Sequence, residues 1–241
     1  MIRAGGSLTK GSVEARRAML VKLLKLQGVV RRDSVERALL TVPREEFVLP
    51  EYRDEAYDDH PLPIPEGQTI SAPHMCAIMC EAAEVDRGDR VLEVGTGSGY
   101  HAALCAEIVS PRGEPLEGLV VSVELLKRLA YFARDNLRRA GYYERVHLIV
   151  ADGSGGAPVR GSFRFNKILV TAAAPRIPPP LLEQLEEGGC MVIPVGPPWQ
   201  QALLAVRKRA GQVEHDVVTF CIFVALRGEY GYGDRGRAGQ G

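Results

Sequence analysis

Residues 91–103 read "VLEVGTGSGYHAA", and this stretch decides the fold. "VLEV" is a short apolar run of strand character. It breaks into glycine at every second position, Gly95, Gly97 and Gly99. Residues 101–109 beyond it have the composition of an apolar helix. A strand, a glycine turn and a helix, in that order, let the backbone turn tightly and approach a ligand closely.

The same alternation continues outward. "GLVVSVE" (118–124) is a second strand, followed by an amphipathic helix over 125–140 that Gly141 ends. "RVHLIVAD" (145–152) and "KILVTA" (167–172) are a third and a fourth strand. A short helix over 181–187, stopped by Gly188 and Gly189, leads to a fifth, "CMVIPVG" (190–196). Strands alternating with helices imply right-handed crossovers and a parallel sheet. Residues 201–226 instead read as two strands with no helix between them, a hairpin closing the sheet with an antiparallel edge. Upstream, residues 16–27 form a helix stopped by Gly28. Asp33 or Ser34 caps a second helix over 35–40, ended by Pro43. Residues 43–73 show no period and read as loop; 74–85 is a helix with Pro73 at its start, and "SPRGEPLEG" (110–118) a surface loop. The expected organisation is an N-terminal helical lobe and substrate-side loop (1–73), an α/β domain (74–232) and a flexible glycine-rich tail (233–241).

Composition narrows the class. The chain has 241 residues, 46% hydrophobic and 25% charged, with zero formal net charge and a pI near 7.0. That argues against a basic nucleic-acid footprint. The N-terminus lacks the apolar run of a secretory signal. The longest apolar run, 217–226, is far short of the ~20 residues that span a bilayer. The five cysteines (76, 80, 105, 190 and 221) are odd in number and form no C-x-x-C pair. Buried small hydrophobes in a reduced, cytoplasmic protein are expected, without a disulfide framework or a metal site.

Three acids follow the strands. Glu93 precedes the glycine turn, Glu124 ends the second strand and Asp152 ends the third. Singly, each reads as a cap or a solvated end. Together they converge on the crevice where α/β proteins bind ligands. Tyr100 stands where a dinucleotide fingerprint needs its last glycine. An anion at Glu93 opposes pyrophosphate and suits a cationic ligand, which points to S-adenosylmethionine. Glu124 can accept both ribose hydroxyls, and Asp152 the adenine amino group.

A second motif lies upstream, "PEGQTISAPHMCA" (65–77). It gathers hydroxyls but pairs no base with a nucleophile. With "VLEVGTGSGY", "VTAAAPRIPPPLLEQLEEGG", "MVIPVG" and a closing "GEYG", it resembles the protein-L-isoaspartate O-methyltransferases, from about residue 37 to 230. The resemblance implies a doubly wound, seven-stranded methyltransferase sheet. It implies S-adenosylmethionine as methyl donor, S-adenosylhomocysteine as product, and isoaspartyl-containing proteins and peptides as partners of a cytoplasmic monomer. It makes Ser71 the active-site residue and sets Thr69, Ile70 and Ser71 between substrate and cofactor. Gln68, Thr69, Cys76, Glu93, Gly95, Thr96, Gly97, Ser98, Gly99 and Tyr100 would then contact the cofactor, with Glu124 on its ribose and Asp152 and Gly153 on its adenine. Cys76, Asn166 and Ala225 depart from the residues usual in the family. The absent base then has a reason: the substrate carboxylate, with a pKa of ~4, is already ionised. From the residues alone, Thr69 and Ser71 also read as caps of the helix at 74, His74 as a hydrogen-bonded structural histidine, and Trp199 as packing or a rim aromatic. Tyr57, Asp58 and Asp59 either shape a peptide groove or form an exposed loop. A methyltransferase of another substrate, and a cofactor-binding module without turnover, remain as alternatives.

Overall fold

The computed structural model describes residues 12–159 and 161–233. The extreme N-terminus and most of the glycine-rich tail, for which a missing leader and a flexible end were expected, lie outside the described residues. In chain order the elements are α1 (Val13–Leu26), α2 (Asp33–Thr41), β1 (Leu62–Ile64), β2 (Gln68–Ile70), α3 (Pro73–Ala82), β3 (Arg90–Val94), α4 (Tyr100–Val109) and β4 (Leu119–Glu124). They continue with α5 (Lys127–Ala140), β5 (His147–Val150), β6 (Phe165–Val170), α6 (Pro179–Gln184), β7 (Leu185–Val195), β8 (Gln201–Arg209) and β9 (Gln212–Cys221).

Seven strands form one sheet in the order β5-β4-β3-β6-β7-β8-β9. Strands β3 to β7 are mutually parallel. The expected hairpin closes the edge, with β8 antiparallel to both β7 and β9. The chain steps from β3 outward to β4 and β5, then returns to the other side of β3 as β6. That reversal opens a crevice beyond the C-terminal ends of β3 and β6.

Burial explains the pattern. β3 lies mid-sheet and is buried from Val91 to Val94, as a strand covered on both faces must be. Every residue of α4 is buried, since α4 lies between the sheet and the N-terminal helices. Leu24, Val35, Leu39 and Phe47 share one core cluster with Leu104 and Ile108 of α4. A second cluster on the opposite face holds Leu92, Phe165, Leu181 and Met191. α5 buries Leu129, Ala130, Ala133, Leu137 and Ala140 on one face, and Gly141 ends it in the left-handed region at φ 77°.

Two expectations are corrected. Residues 43–73 hold the antiparallel pair β1–β2 as well as short 3-10 turns; strands of three residues are too brief to show a period. The helix expected over 181–187 ends at Gln184, and Gly188 and Gly189 lie inside β7. Leu185 already pairs with Phe165, and the register shifts before Lys167 meets Cys190. The glycines therefore serve an irregularity within a strand, where three extra residues of β7 must be accommodated, and do not stop a helix. Among the described residues, no helix is long and apolar enough to cross a membrane.

Candidate active site

A cleft occupies the crevice at the strand reversal, where open α/β sheets bind their ligands. The glycine turn after β3 forms its floor. Gly95, Gly97 and Gly99 take φ of 97°, 57° and 88°. At Gly95 a Cβ would come within 2.6 Å of Thr171 Oγ1. That hydroxyl donates to Gly95 O at 2.5 Å, tying the turn to the end of β6. Asn136 Nδ2 of α5 donates to Ser98 O at 2.9 Å, so the turn is held from both sides.

Two buried carboxylates face the cleft. Glu93 is fully buried. Ser122 Oγ donates to its Oε2 at 2.5 Å, and His101 Nδ1 stands 3.2 Å from its Oε1. Glu124 receives Gly97 N–H on Oε2 and Leu126 N–H on Oε1, each at 3.0 Å. Burial raises the Glu124 pKa, and those two backbone donors offset part of the rise. Each oxygen keeps lone-pair capacity for a ligand. Val123, Leu125 and Leu129 add an apolar wall. The set is rich in acceptors and suits a ligand bringing hydroxyls and positive charge; pyrophosphate would meet two buried anions.

The "TISAPHM" segment forms the opposite wall. Gln68, Thr69, Ile70, Ser71 and Cys76 line the cleft. Ser71 does not cap α3: the N-cap is Ala72, which makes no side-chain cap bond. Asp59 takes that role from outside, its Oδ1 accepting His74 N–H at 2.9 Å and facing His74 Nδ1 at 2.9 Å. The expected structural histidine is therefore present. Among the described residues, Ser71 Oγ makes no hydrogen bond, while Ser71 O accepts from Arg44 Nη2 at 2.8 Å. Arg44 is fully buried, lies 4.9 Å over the Tyr100 ring, and leaves Nε and Nη1 without a partner among the described residues.

The profile of the protein-L-isoaspartate(D-aspartate) O-methyltransferases matches residues 15–231. The chain belongs to this family. It is 53% identical over 222 residues to the protein-L-isoaspartate O-methyltransferase of Hyperthermus butylicus, covering 91% of each chain. It is 50% identical over 219 residues to that of Korarchaeum cryptofilum, covering 89% of this chain and 98% of the relative. Among solved structures, a Plasmodium falciparum protein described as a protein-L-isoaspartate O-methyltransferase, in complex with S-adenosyl-L-homocysteine, superposes with a TM-score of 0.77 at 26% identity. That alignment covers 90% of this chain and 99% of the other.

Within this methyltransferase fold, Glu93, Gly95, Thr96, Gly97, Ser98, Tyr100, Glu124 and Gly153 also line the cleft. Gly99 and Asp152 do not. Gly99 serves packing, since a Cβ there would stand 3.2 Å from Leu137 Cγ. The Asp152 carboxylate is taken up by Ser154 N–H at 2.9 Å, Ser154 Oγ at 2.7 Å and Glu229 N–H at 2.8 Å. It caps a turn and anchors the C-terminal segment, which is why it lies behind the wall. Asn166 is structural, accepting Arg90 N–H at 2.7 Å and donating to Asp89 Oδ1 at 2.7 Å. Tyr57 is buried against Glu45 and Arg17 and does not line the cleft, and Trp199 is exposed.

Several lining residues escape a reading by motif. Thr171 and Ala172 follow β6, and the strand-end rule that singled out Glu93 also reaches them. Residues 224–227 complete the wall with no local signal. They return beside β6, where Ala173 N–H donates to Val224 O at 2.8 Å and Leu226 N–H to Ala173 O at 2.7 Å.

Proposed function

We propose that the chain methylates the free α-carboxylate of L-isoaspartyl residues in damaged proteins and peptides, with Ser71 as the active-site residue. The observation that carries this reading is the Ser71 hydroxyl, which makes no hydrogen bond among the described residues and lines the same cleft as Glu93 and Glu124.

When bound, S-adenosylmethionine supplies a methyl carbon already activated on a sulfonium. Glu93, Thr96, Gly97, Ser98 and Tyr100 would hold the methionine portion, Glu124 would accept the ribose hydroxyls, and Gly153, packed on Val94 and Val123, would line the wall beside the adenine. Cys76 and Gln68 close the wall beside them. Ser71 Oγ and nearby backbone N–H groups orient the substrate carboxylate toward the methyl, at ~3–3.5 Å. A neutral hydroxyl holds that oxygen without quenching it as a cation would. Thr69 and Ile70 align the peptide and exclude water. Arg227, exposed on the rim, steers the carboxylate in at longer range. No base is needed, because the nucleophile arrives ionised. The methyl ester then closes to a succinimide, whose hydrolysis returns some normal aspartate.

In the same reading residues 1–73 form the substrate-side lobe and 74–232 the methyltransferase unit. The enzyme works as a cytoplasmic monomer without a nucleic-acid partner, in keeping with its zero net charge. Two peptides differing only in an L-isoaspartyl or a normal L-aspartyl linkage test the reading, each incubated with methyl-labelled cofactor. Base-labile ester on the isoaspartyl peptide alone is expected. Ester on neither, with cofactor binding intact, would overturn it.

A further inference from the structure

Behind Glu93, two helices bring together side chains that the methyl-transfer chemistry does not use. α3 supplies Cys80; α4 supplies His101 and Cys105, one turn apart on the same face. Cys80 Sγ, a His101 ring nitrogen and Cys105 Sγ lie within 4.8 Å of one another, and all three residues are buried. Cys80 Sγ stands 3.5 Å from His101 Nε2. We propose that Cys80, His101 and Cys105 form a binding site for a single thiophilic divalent cation, zinc, that pins α3 to α4 behind the cofactor cleft.

Three observations support this. First, the Cys80–His101 edge fits, and the fourth tetrahedral position is left to a water entering from the cleft. A tetrahedral zinc with Zn–S of ~2.3 Å and Zn–N of ~2.0–2.1 Å requires an S···N edge of about 3.6 Å. Second, the histidine is already oriented. Glu93 Oε1 lies 3.2 Å from His101 Nδ1, which turns Nε2 toward the two sulfurs. Metal-bound histidines characteristically pass their other ring N–H to such a carboxylate. Glu93 is itself fixed by Ser122 Oγ at 2.5 Å. Third, the charge balances. The ion takes the place of the two thiol protons, which leave to solvent. Two thiolates then neutralise the divalent charge, so no net charge is added to the interior, and no redox step is involved. His101 also lines the cofactor cleft, which gives the ion a route in. Cysteine packed simply as a small hydrophobe needs neither the histidine nor its carboxylate partner.

The test uses the full chain, reduced and stripped with a chelator, then dialysed against zinc or titrated with cobalt as a spectroscopic probe. One zinc per chain is expected, together with the near-ultraviolet thiolate-to-cobalt band and the visible bands of a tetrahedral centre. Cys105→Ala should abolish the band, Glu93→Gln should weaken zinc affinity roughly 10- to 100-fold, and Cys221→Ser should change nothing. Zinc should raise the melting temperature of the wild type. Well under one ion per chain in the wild type would overturn the proposal whatever the variants do. So would a cobalt band that survives Cys105→Ala or vanishes with Cys221→Ser. The readouts do not depend on methyl transfer, so they stand apart from the proposed function.

Discussion

Glu124→Gln isolates the charge of one carboxylate while keeping its shape. In the wild type each oxygen receives one backbone N–H, from Gly97 and from Leu126, both at 3.0 Å. A glutamine offers one oxygen and one NH₂, so one of those N–H groups must face a donor. That orphan costs about 1–3 kcal/mol. Part is recovered, because burial already disfavours the ionised glutamate, so the melting temperature should fall only modestly. Ligand binding should suffer more. Charge-assisted hydrogen bonds contribute ~1.5–3 kcal/mol and neutral ones ~0.5–1.5, a loss of about 1–1.5 for each ribose hydroxyl. Two such losses raise the Kd for S-adenosylhomocysteine roughly 30- to 140-fold. The pH dependence has a defined sign. Burial sets the Glu124 pKa above the usual range, and the ligand binds the ionised form. Wild-type affinity should therefore weaken as pH falls through that raised value, and the glutamine variant should lose this part of the slope. Calorimetric titrations from about pH 8 to about pH 5 measure both effects. A variant Kd within about threefold of wild type near pH 8, or the same slope in both proteins, would refute the assignment.

Ser71→Ala should lower methyl transfer on the order of 10- to 100-fold. Because Ser71 Oγ makes no hydrogen bond among the described residues, stability should stay within about 0.5 kcal/mol; an equal loss of cofactor binding would count against the role. Arg227→Ala should raise KM for isoaspartyl peptide several-fold, less so at high salt, with unchanged cofactor Kd; a salt-independent effect would remove the steering role. Asp59→Asn should destabilise most between the usual carboxyl and imidazole values. The Asp59 hydrogen bond raises the His74 pKa despite burial, and bonds from His74 outweigh burial to lower that of Asp59. The pair's contribution, about 0.5 kcal/mol after solvent screening, is lost as pH rises through the raised His74 value or falls through the lowered Asp59 value. A melting difference independent of pH would exclude it. Asp152→Ala should cost about 1 kcal/mol as a lost cap, and melting curves measure it; an unchanged melting temperature would contradict the cap.

The parallel sheet was legible because buried strands and glycine turns are local signals. "VLEVGTGSGY" carries both the strand and the conformational demand at Gly95, and the acids at strand ends could be placed from order alone. What escaped depended on distant parts of the chain. Asp59 caps α3 from 15 residues before His74, leaving Ser71 free, and no short window contains both ends of that bond. The structural bonds of Asp152 were also out of reach, because its partner Glu229 lies 77 residues away. Gly188 and Gly189 resemble a helix stop until the pairing of Leu185 with Phe165 is known. His101 and Cys105 show their helical spacing in the sequence, but Cys80 joins them only once α3 and α4 pack.

The wall formed by residues 224–227 bears on how the cleft is completed. Those residues follow every strand of the sheet, so the sheet can be whole while the cleft still lacks a side. Asp152 waits for Glu229, and Ser154 Oγ for Tyr230 N–H. A chain cut short ahead of residue 224 can still fold its sheet and yet hold its methyl donor poorly. Integrity of the sheet and competence of the cleft are thus separable, and the second rests on a segment that adds no strand to the sheet.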